Sequence, residues 1–264
     1  MLYDLPNWAL GSIVVGLTMA SAVAIFILFK RRFPGPASEA HLSAAMAVLP
    51  IIATVHSLLL AFAAVSVWEA YSNAESSVVE EADVIGQLAR DLAVYGSPES
   101  TRARELLKAY TKSVIDVEWP ELREGNSVAA TWGTLDDMFR AVGTMEPDTP
   151  RREALLPEIW SKTNDLIKLR RDRLYASGSH IPRVLWSVAV VGAVLTLLIV
   201  LVWPKDRFHV ALVAAMAFSV GLVFFLLIAL DRPFAGDEGL TPAAFESAIT
   251  NIERWDRHVP GEAR

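Results

Sequence analysis

Polar side chains recur at alternating steps of 3 and 4 residues through Ser66, Glu69, Asn73, Ser76, Glu80, Asp83, Gln87 and Arg90. That spacing aligns them along one stripe of a helix. The opposing side of the same segment carries Val65, Trp68, Val78, Ile85, Leu88 and Leu92. Several copies of such a stripe turned inward would form an acidic vestibule around Glu69, Glu80 and Asp83, attracting cations as rings of Asp or Glu do. The same pattern also suits the solvated face of an ordinary amphipathic helix, and periodicity alone does not choose between them. Upstream, His56 is the one ionisable side chain well inside an apolar run. Such residues usually face a bundle interior or a wet cavity. It could line a pore with Phe62 and Ser66, or respond to pH. Equally, it could be a neutral imidazole hydrogen-bonded between helices, with Thr54 or Ser57 nearby.

Signals of catalysis are missing. There is no glycine-rich phosphate loop, no histidine pair at metal-ligand spacing and no nucleophile elbow. Glu80, Glu81 and Asp83 cluster without a companion histidine and read as a solvated acidic patch. The chain has no cysteine, which removes disulfides, thiol chemistry and Cys-ligated metals. Its net charge of −6 argues against nucleic acid as a partner. The expectation is a non-enzyme without cofactor or metal.

The elements that must position these residues are set by four apolar runs: 8–29, 42–68, 184–203 and 210–230. A helix needs about 20 such residues to cross a bilayer. The chain is 53% hydrophobic yet 20% charged, because a polar segment, 69–183, separates the two pairs. The first run reads as a retained anchor: it is long for a signal peptide, lacks basic residues before it, and is followed by Lys30-Arg31-Arg32. Phe33-Pro34-Gly35-Pro36 makes a rigid turn. Pro50 is expected to kink the second run. No breaker follows Trp68, so the second span continues as one helix to Tyr95, where Gly96-Ser97-Pro98 ends it.

Inside 69–183 the pattern is helical throughout. Leu106, Leu107, Tyr110, Val114 and Val117 mark a helix from Pro98 that Trp119-Pro120 should break. Trp132, Leu135, Met138, Phe139 and Val142 mark a second, over Ser127–Met145. Thr149-Pro150 caps a third, which runs towards Ser177-Gly178 and re-enters the membrane after Ile181-Pro182. The last two spans form a hairpin across Pro204–His209. Residues 231–264 supply a charged turn (Asp231, Arg232, Pro233, Phe234, Ala235, Gly236) and then a helix with Phe245, Ile249 and Ile252 on one side. At the turn, Asp231 should pair with Arg232 or accept from the amides of Pro233–Gly236. The fold class is therefore all-α: four membrane spans in two hairpins, with a helical extramembrane module between them.

Orientation follows the bias of Lys and Arg in short loops. Lys30, Arg31, Arg32, Lys205 and Arg207 place those loops inside, and hence both termini and the module outside, in a bacterial inner membrane. Lys168, Arg170, Arg171, Arg173 and Arg183 on the returning helix weigh the other way.

The run Leu230-Asp231-Arg232-Pro233-Phe234-Ala235-Gly236, followed by Leu240-Thr241-Pro242-Ala243-Ala244-Phe245, resembles the bestrophin-like domain family of bacterial and plant membrane proteins. Leu59-Leu60-Ala61-Phe62 through Trp68-Glu69 agrees with it, as does Asn73-Ala74-Glu75 through Val79-Glu80-Glu81-Ala82. His56 stands where an aromatic, commonly tyrosine, is expected. The resemblance implies kinship with bestrophins, oligomeric anion channels whose helical region lies in the cytosol, a placement opposite to the one the loop charges favour. The resulting expectation is a homo-oligomer in the lipid bilayer that conducts small inorganic ions. A non-conducting scaffold or sensor, whose helical module binds a partner, is the alternative.

Overall fold

The computed structural model describes residues 5–35, 38–126, 132–178 and 180–258. Among these the chain is all-α, with no strand. Two compact units divide it. Residues 127–131 and Pro36, where a helix start and a turn were expected, lie outside the described residues, as does the side chain of Trp132.

The span unit contains four helices long and apolar enough to cross a membrane. They are α1 (Asn7–Arg32), the first part of α2 (Glu39–Tyr95), α7 (Arg183–Val200) and α8 (Arg207–Leu230). Helix α2 continues through Pro50. Helices α1 and α8 approach backbone to backbone, because a Cβ on Gly221 would lie 3.0 Å from Val15 Cα. In lipid, where apolar surface is not driven together by water, small residues at such crossings let dispersion contacts hold the pair. No more than 22% of any span's apolar window is buried within the chain. Lipid or further protein must therefore cover the rest.

The polar unit is built on the remainder of α2, from Ser72, with α3 (Pro98–Ser113), α4 (Trp119–Glu124), α5 (Trp132–Gly143), α6 (Pro150–Ser177) and α9 (Ala243–His258). Gly96, at φ 68°, takes the left-handed conformation that ends α2. Ser97 then caps α3 in a reciprocal box with Ser100, ahead of Pro98 at the first helical position. Thr149 caps α6 by accepting from the Arg152 amide at 3.3 Å.

Trp119-Pro120 does not break the helix. A π-helical turn, Val114–Glu118, joins α3 to α4, with the Trp119 amide donating to the Val114 carbonyl. Proline is tolerated because it falls at the start of α4. The wider turn shifts the helical register. Glu118 therefore faces the core, whereas Val117, expected on the apolar face, is exposed. Helix α4 ends at Gly125, φ 80°.

Candidate functional site

The polar stripe of α2 is exposed along its length. In the span unit this holds for Phe62, Ser66 and Glu69; in the polar unit, for Asn73, Ser76, Glu80, Asp83, Gln87 and Arg90. Behind it, Ala74, Val78, Ile85, Leu88 and Leu92 are buried in the polar unit's core. Val65 and Trp68, grouped with the opposing apolar side, are 53% and 60% exposed. Residues within the membrane need no aqueous core behind them, so the amphipathic rule stops applying there. The outward face around Phe62 is consequently apolar on both flanks.

His56 does not join this stripe. At 100° per residue it lies roughly a third of a turn away. It is 5% exposed, and its Nε2 sits 3.0 Å from the Ala189 carbonyl of α7. The ring occupies space left by a missing side chain: a Cβ on Gly192 would come within 2.2 Å of His56 Cδ2. Ser57 bonds its own helix, at Ala53 O (2.6 Å), rather than the imidazole. His56 thus cross-links α2 to α7 in a space that only glycine at position 192 provides.

A buried ion cluster lies immediately behind the stripe. Glu81 is not part of a solvated acidic patch; it is fully buried. Its carboxylate accepts from Arg173 Nε at 2.7 Å and from Tyr110 Oη at 2.5 Å. Arg173 Nη2 reaches Glu118 Oε2 at 2.6 Å, and Arg170 Nη2 donates to Glu118 Oε1 at 2.6 Å. Two carboxylates and two guanidiniums thereby neutralise one another, all four side chains at 0% exposure. Aromatic faces surround the cations: Arg173 lies 5.5 Å from the Phe245 ring and 5.9 Å from Trp119. Burial opposes the charge of Arg173, but Glu81 beside it, with Tyr110 and Glu118, outweighs that and holds its pKa above the ordinary value. Burial, reinforced by Glu81, pushes the Tyr110 hydroxyl well up, so it stays a donor.

The sequence signal for this cluster was present. Glu81 falls at the same 4-3-4-3 spacing as Ala74, Val78, Ile85 and Leu88. Arg170 and Arg173 likewise continue Ile159, Thr163 and Leu166. A charge in register with an apolar stripe must find a buried partner.

The turn after α8 works differently from either expectation. Asp231 Oδ1 accepts from the Ile181 amide at 2.7 Å, so it secures the residues just before α7. Phe234 is 2% exposed and stacks edge-on against Trp119 in the polar unit's core. The Leu240 amide donates to Pro233 O at 2.8 Å, and Leu240 O accepts from Trp119 Nε1 at 3.1 Å. Gly236 has φ 83°, a conformation that excludes most other residues.

In the polar unit, Asp83, Gln87 and Arg90 also form one wall of a groove of about 830 Å³, with α9 as the other. Helix α9 is held there by Asp256, which accepts from Arg104 at 2.5 Å and from Lys108 at 2.7 Å. Burial works against this carboxylate, but those two hydrogen-bonding cations win and hold its pKa below the usual range. Among the described residues no group of three or more His, Cys, Asp or Glu could hold a metal ion.

Comparison with known proteins agrees with this architecture. The crystal structure of a proline-to-alanine variant of a membrane protein matches with a TM-score of 0.68 at 11% identity, covering 92% of this chain and 97% of that one. A tyrosine-to-alanine variant of a bacterial bestrophin homologue from Klebsiella pneumoniae matches with a TM-score of 0.65 at 13% identity, again over 92% and 97%. No curated protein matches. The model of the bestrophin-like domain matches residues 16–245. The chain belongs to the bestrophin-like domain family.

Proposed function

We propose that this membrane protein is one subunit of a homo-oligomeric ion-conducting pore lined by α2. The observation carrying this reading is the stripe from Phe62 to Asp83, which the chain leaves exposed while burying a charge cluster behind it. Phe62, 62% exposed between turns of apolar residues, would form a narrow apolar ring. Ser66, Glu69, Asn73, Glu80 and Asp83 would follow as a polar vestibule whose carboxylates enrich cations. The family name points to bestrophins, which conduct anions, so selectivity is the sharpest question. His56 is left out of the lining, because its ring is committed to Ala189 and Gly192 of α7. Its role is to fix α2 against α7.

The test is ion flux from liposomes holding the purified full chain. Wild type should pass ions. Glu69→Gln/Glu80→Gln/Asp83→Asn should shift selectivity towards anions. No flux from wild type would overturn the pore, and an unchanged preference would remove the vestibule.

Orientation is part of this proposal, with the polar unit and both termini outside. Arg170 and Arg173, two of the cations weighing against it, are neutralised in the buried cluster and do not act as free positive charge. The chain has no cysteine, so Gln87→Cys offers one labelling site. Labelling of intact cells by a membrane-impermeant maleimide supports this orientation; labelling only after lysis reverses it.

The scaffold or sensor reading draws on the α2–α9 groove, whose lining includes the half-exposed Trp255. It predicts no flux together with retention of a partner.

A further inference from the structure

The span unit contains a second feature, independent of conduction. Helices α1, α2, α7 and α8 enclose an open cleft of about 820 Å³. Most of its lining is aliphatic, and four of its five hydroxyl side chains are engaged within their own helices. Thr18 donates to Val14 O, Ser57 to Ala53 O, Thr196 to Gly192 O and Ser21 to Thr18 O, at 2.6–2.9 Å. His56 Nε2 is committed to Ala189 O. Those groups give water little to bind, and an apolar cleft of this kind favours hydrocarbon.

At one end of the same unit lie the C-terminus of α1 and the α7–α8 connection. Lys30 Nζ donates to Val202 O at 3.5 Å, bringing the two together. Phe26, Val200, Leu201 and Val213 pack beneath them. That end carries Lys30, Arg31, Arg32, Lys205 and Arg207, four of them exposed. Its nearby acids are Glu39 and Asp206, and Asp206 is engaged by the ring and amide of His209 at 2.8 Å.

Cleft and cations are spaced as the two parts of a lipid. The cleft residues Ile25, Val200 and Val213 fall five or six residues from Lys30, Lys205 and Arg207. Along α1 and α8, at 1.5 Å per residue, that is about 7–9 Å, close to the depth of a headgroup layer, and Lys205 follows in the connection beyond α7. Along α7 the lining runs from Val190 to Val200, about 15 Å, or one leaflet of the hydrocarbon core.

We propose that this cleft and the basic cluster form one site for an anionic phospholipid. Its phosphate lies against Lys30, Arg31, Arg32, Lys205 and Arg207, and its acyl chains lie in the cleft. The charge selects the headgroup, as basic pockets between membrane helices do. The cleft makes the lipid a resident rather than part of a diffuse annulus.

The full chain in detergent is titrated with phosphatidylglycerol, with phosphatidylcholine of the same acyl chains, and with glycerol 3-phosphate; bound species are read by native mass spectrometry. Phosphatidylglycerol should bind at least about tenfold tighter than phosphatidylcholine, since each nearby cation contributes about fivefold. Glycerol 3-phosphate should bind far more weakly. Lys30→Gln/Arg31→Gln/Arg32→Gln should abolish the preference, and Lys30→Arg/Arg31→Lys/Arg32→Lys should retain it. Ser219→Leu, which fills the cleft from α8, should weaken both phospholipids. Equal binding of the two lipids, undiminished binding by the Gln variant, or binding of glycerol 3-phosphate as tight as the lipid would overturn the site. So would binding unaffected by Ser219→Leu, which would reduce the cluster to a surface charge effect.

Discussion

Replacing Glu81 with glutamine removes one of the two anions that hold Arg170 and Arg173 away from water. Glutamine keeps the shape and can still accept from Tyr110 or from Arg173, but it leaves the two guanidiniums sharing the Glu118 carboxylate. All four charged side chains are at 0% exposure, so solvent cannot screen the imbalance. Removing one partner from a buried pair costs about 3–5 kcal/mol. At about 2–4 °C per kcal/mol for a protein of this size, the melting temperature should fall by about 6–20 °C. Glu80→Gln, one residue away on the exposed stripe, should stay within about 0.5 kcal/mol of wild type. The assay is thermal unfolding of the full chain in detergent. Hydrogen exchange of α6 peptides separates the polar unit from the spans. Glu81→Met/Arg173→Met, which removes the pair together, should recover a large part of the loss, because apolar substitutes avoid the desolvation penalty. If Glu81→Gln and Glu80→Gln melt within about 2 °C of each other, the cluster does not support the polar unit and the reasoning fails.

Gly192→Ala should displace the His56 ring, since the new Cβ would sit 2.2 Å from Cδ2, and should cost about 1–3 kcal/mol as overpacking. Adding His56→Ala should relieve it, and a thermal melt in which the two changes are simply additive would remove the contact as the cause. Asp256 has a lowered folded pKa, so its contribution is present above the unfolded value near 4 and is lost as pH falls through the folded one. Limited proteolysis should therefore cut α9 readily at acid pH and not at pH 7, and Asp256→Asn should be cut at both. Equal resistance of that variant at neutral pH would show that Arg104 and Lys108 do not hold the helix.

The division into four spans and a polar helical segment was legible because apolar run length is a direct consequence of bilayer thickness. The continuation of α2 to Tyr95 was legible for the opposite reason, an absence of breakers before Gly96. The π turn was not. Nothing in Val114–Glu118 differs from ordinary helix, and the extra residue per turn follows from tertiary packing that brings Glu118 to Arg173. Trp119-Pro120 misled because proline ends a helix only when a helical amide or the preceding carbonyl is needed there; at the first turn after the π segment neither applies. The short-loop partner of Asp231 was also hidden, since Ile181 lies 50 residues away in sequence.

His56 and Glu81 show how the two solvents of this chain change the meaning of the same observation. Both are ionisable side chains placed among apolar neighbours on α2, and both are buried. In the span unit a backbone carbonyl and a missing Cβ accommodate the imidazole, which meets its partner through one hydrogen bond. In the polar unit an ionised carboxylate needs full cations, which α6 supplies from the matching phase of its own stripe. The consequence reaches the candidate site. Glu81 is tethered to Arg173 and Tyr110 on one side of α2, so helical geometry turns Glu80 and Asp83, on neighbouring positions about 100–200° away, outward. The exposed acidic stripe is thus not simply what remains after burial. It is aimed by the buried charges, and a variant that frees Glu81 should loosen the orientation of the stripe as well as the stability of the unit.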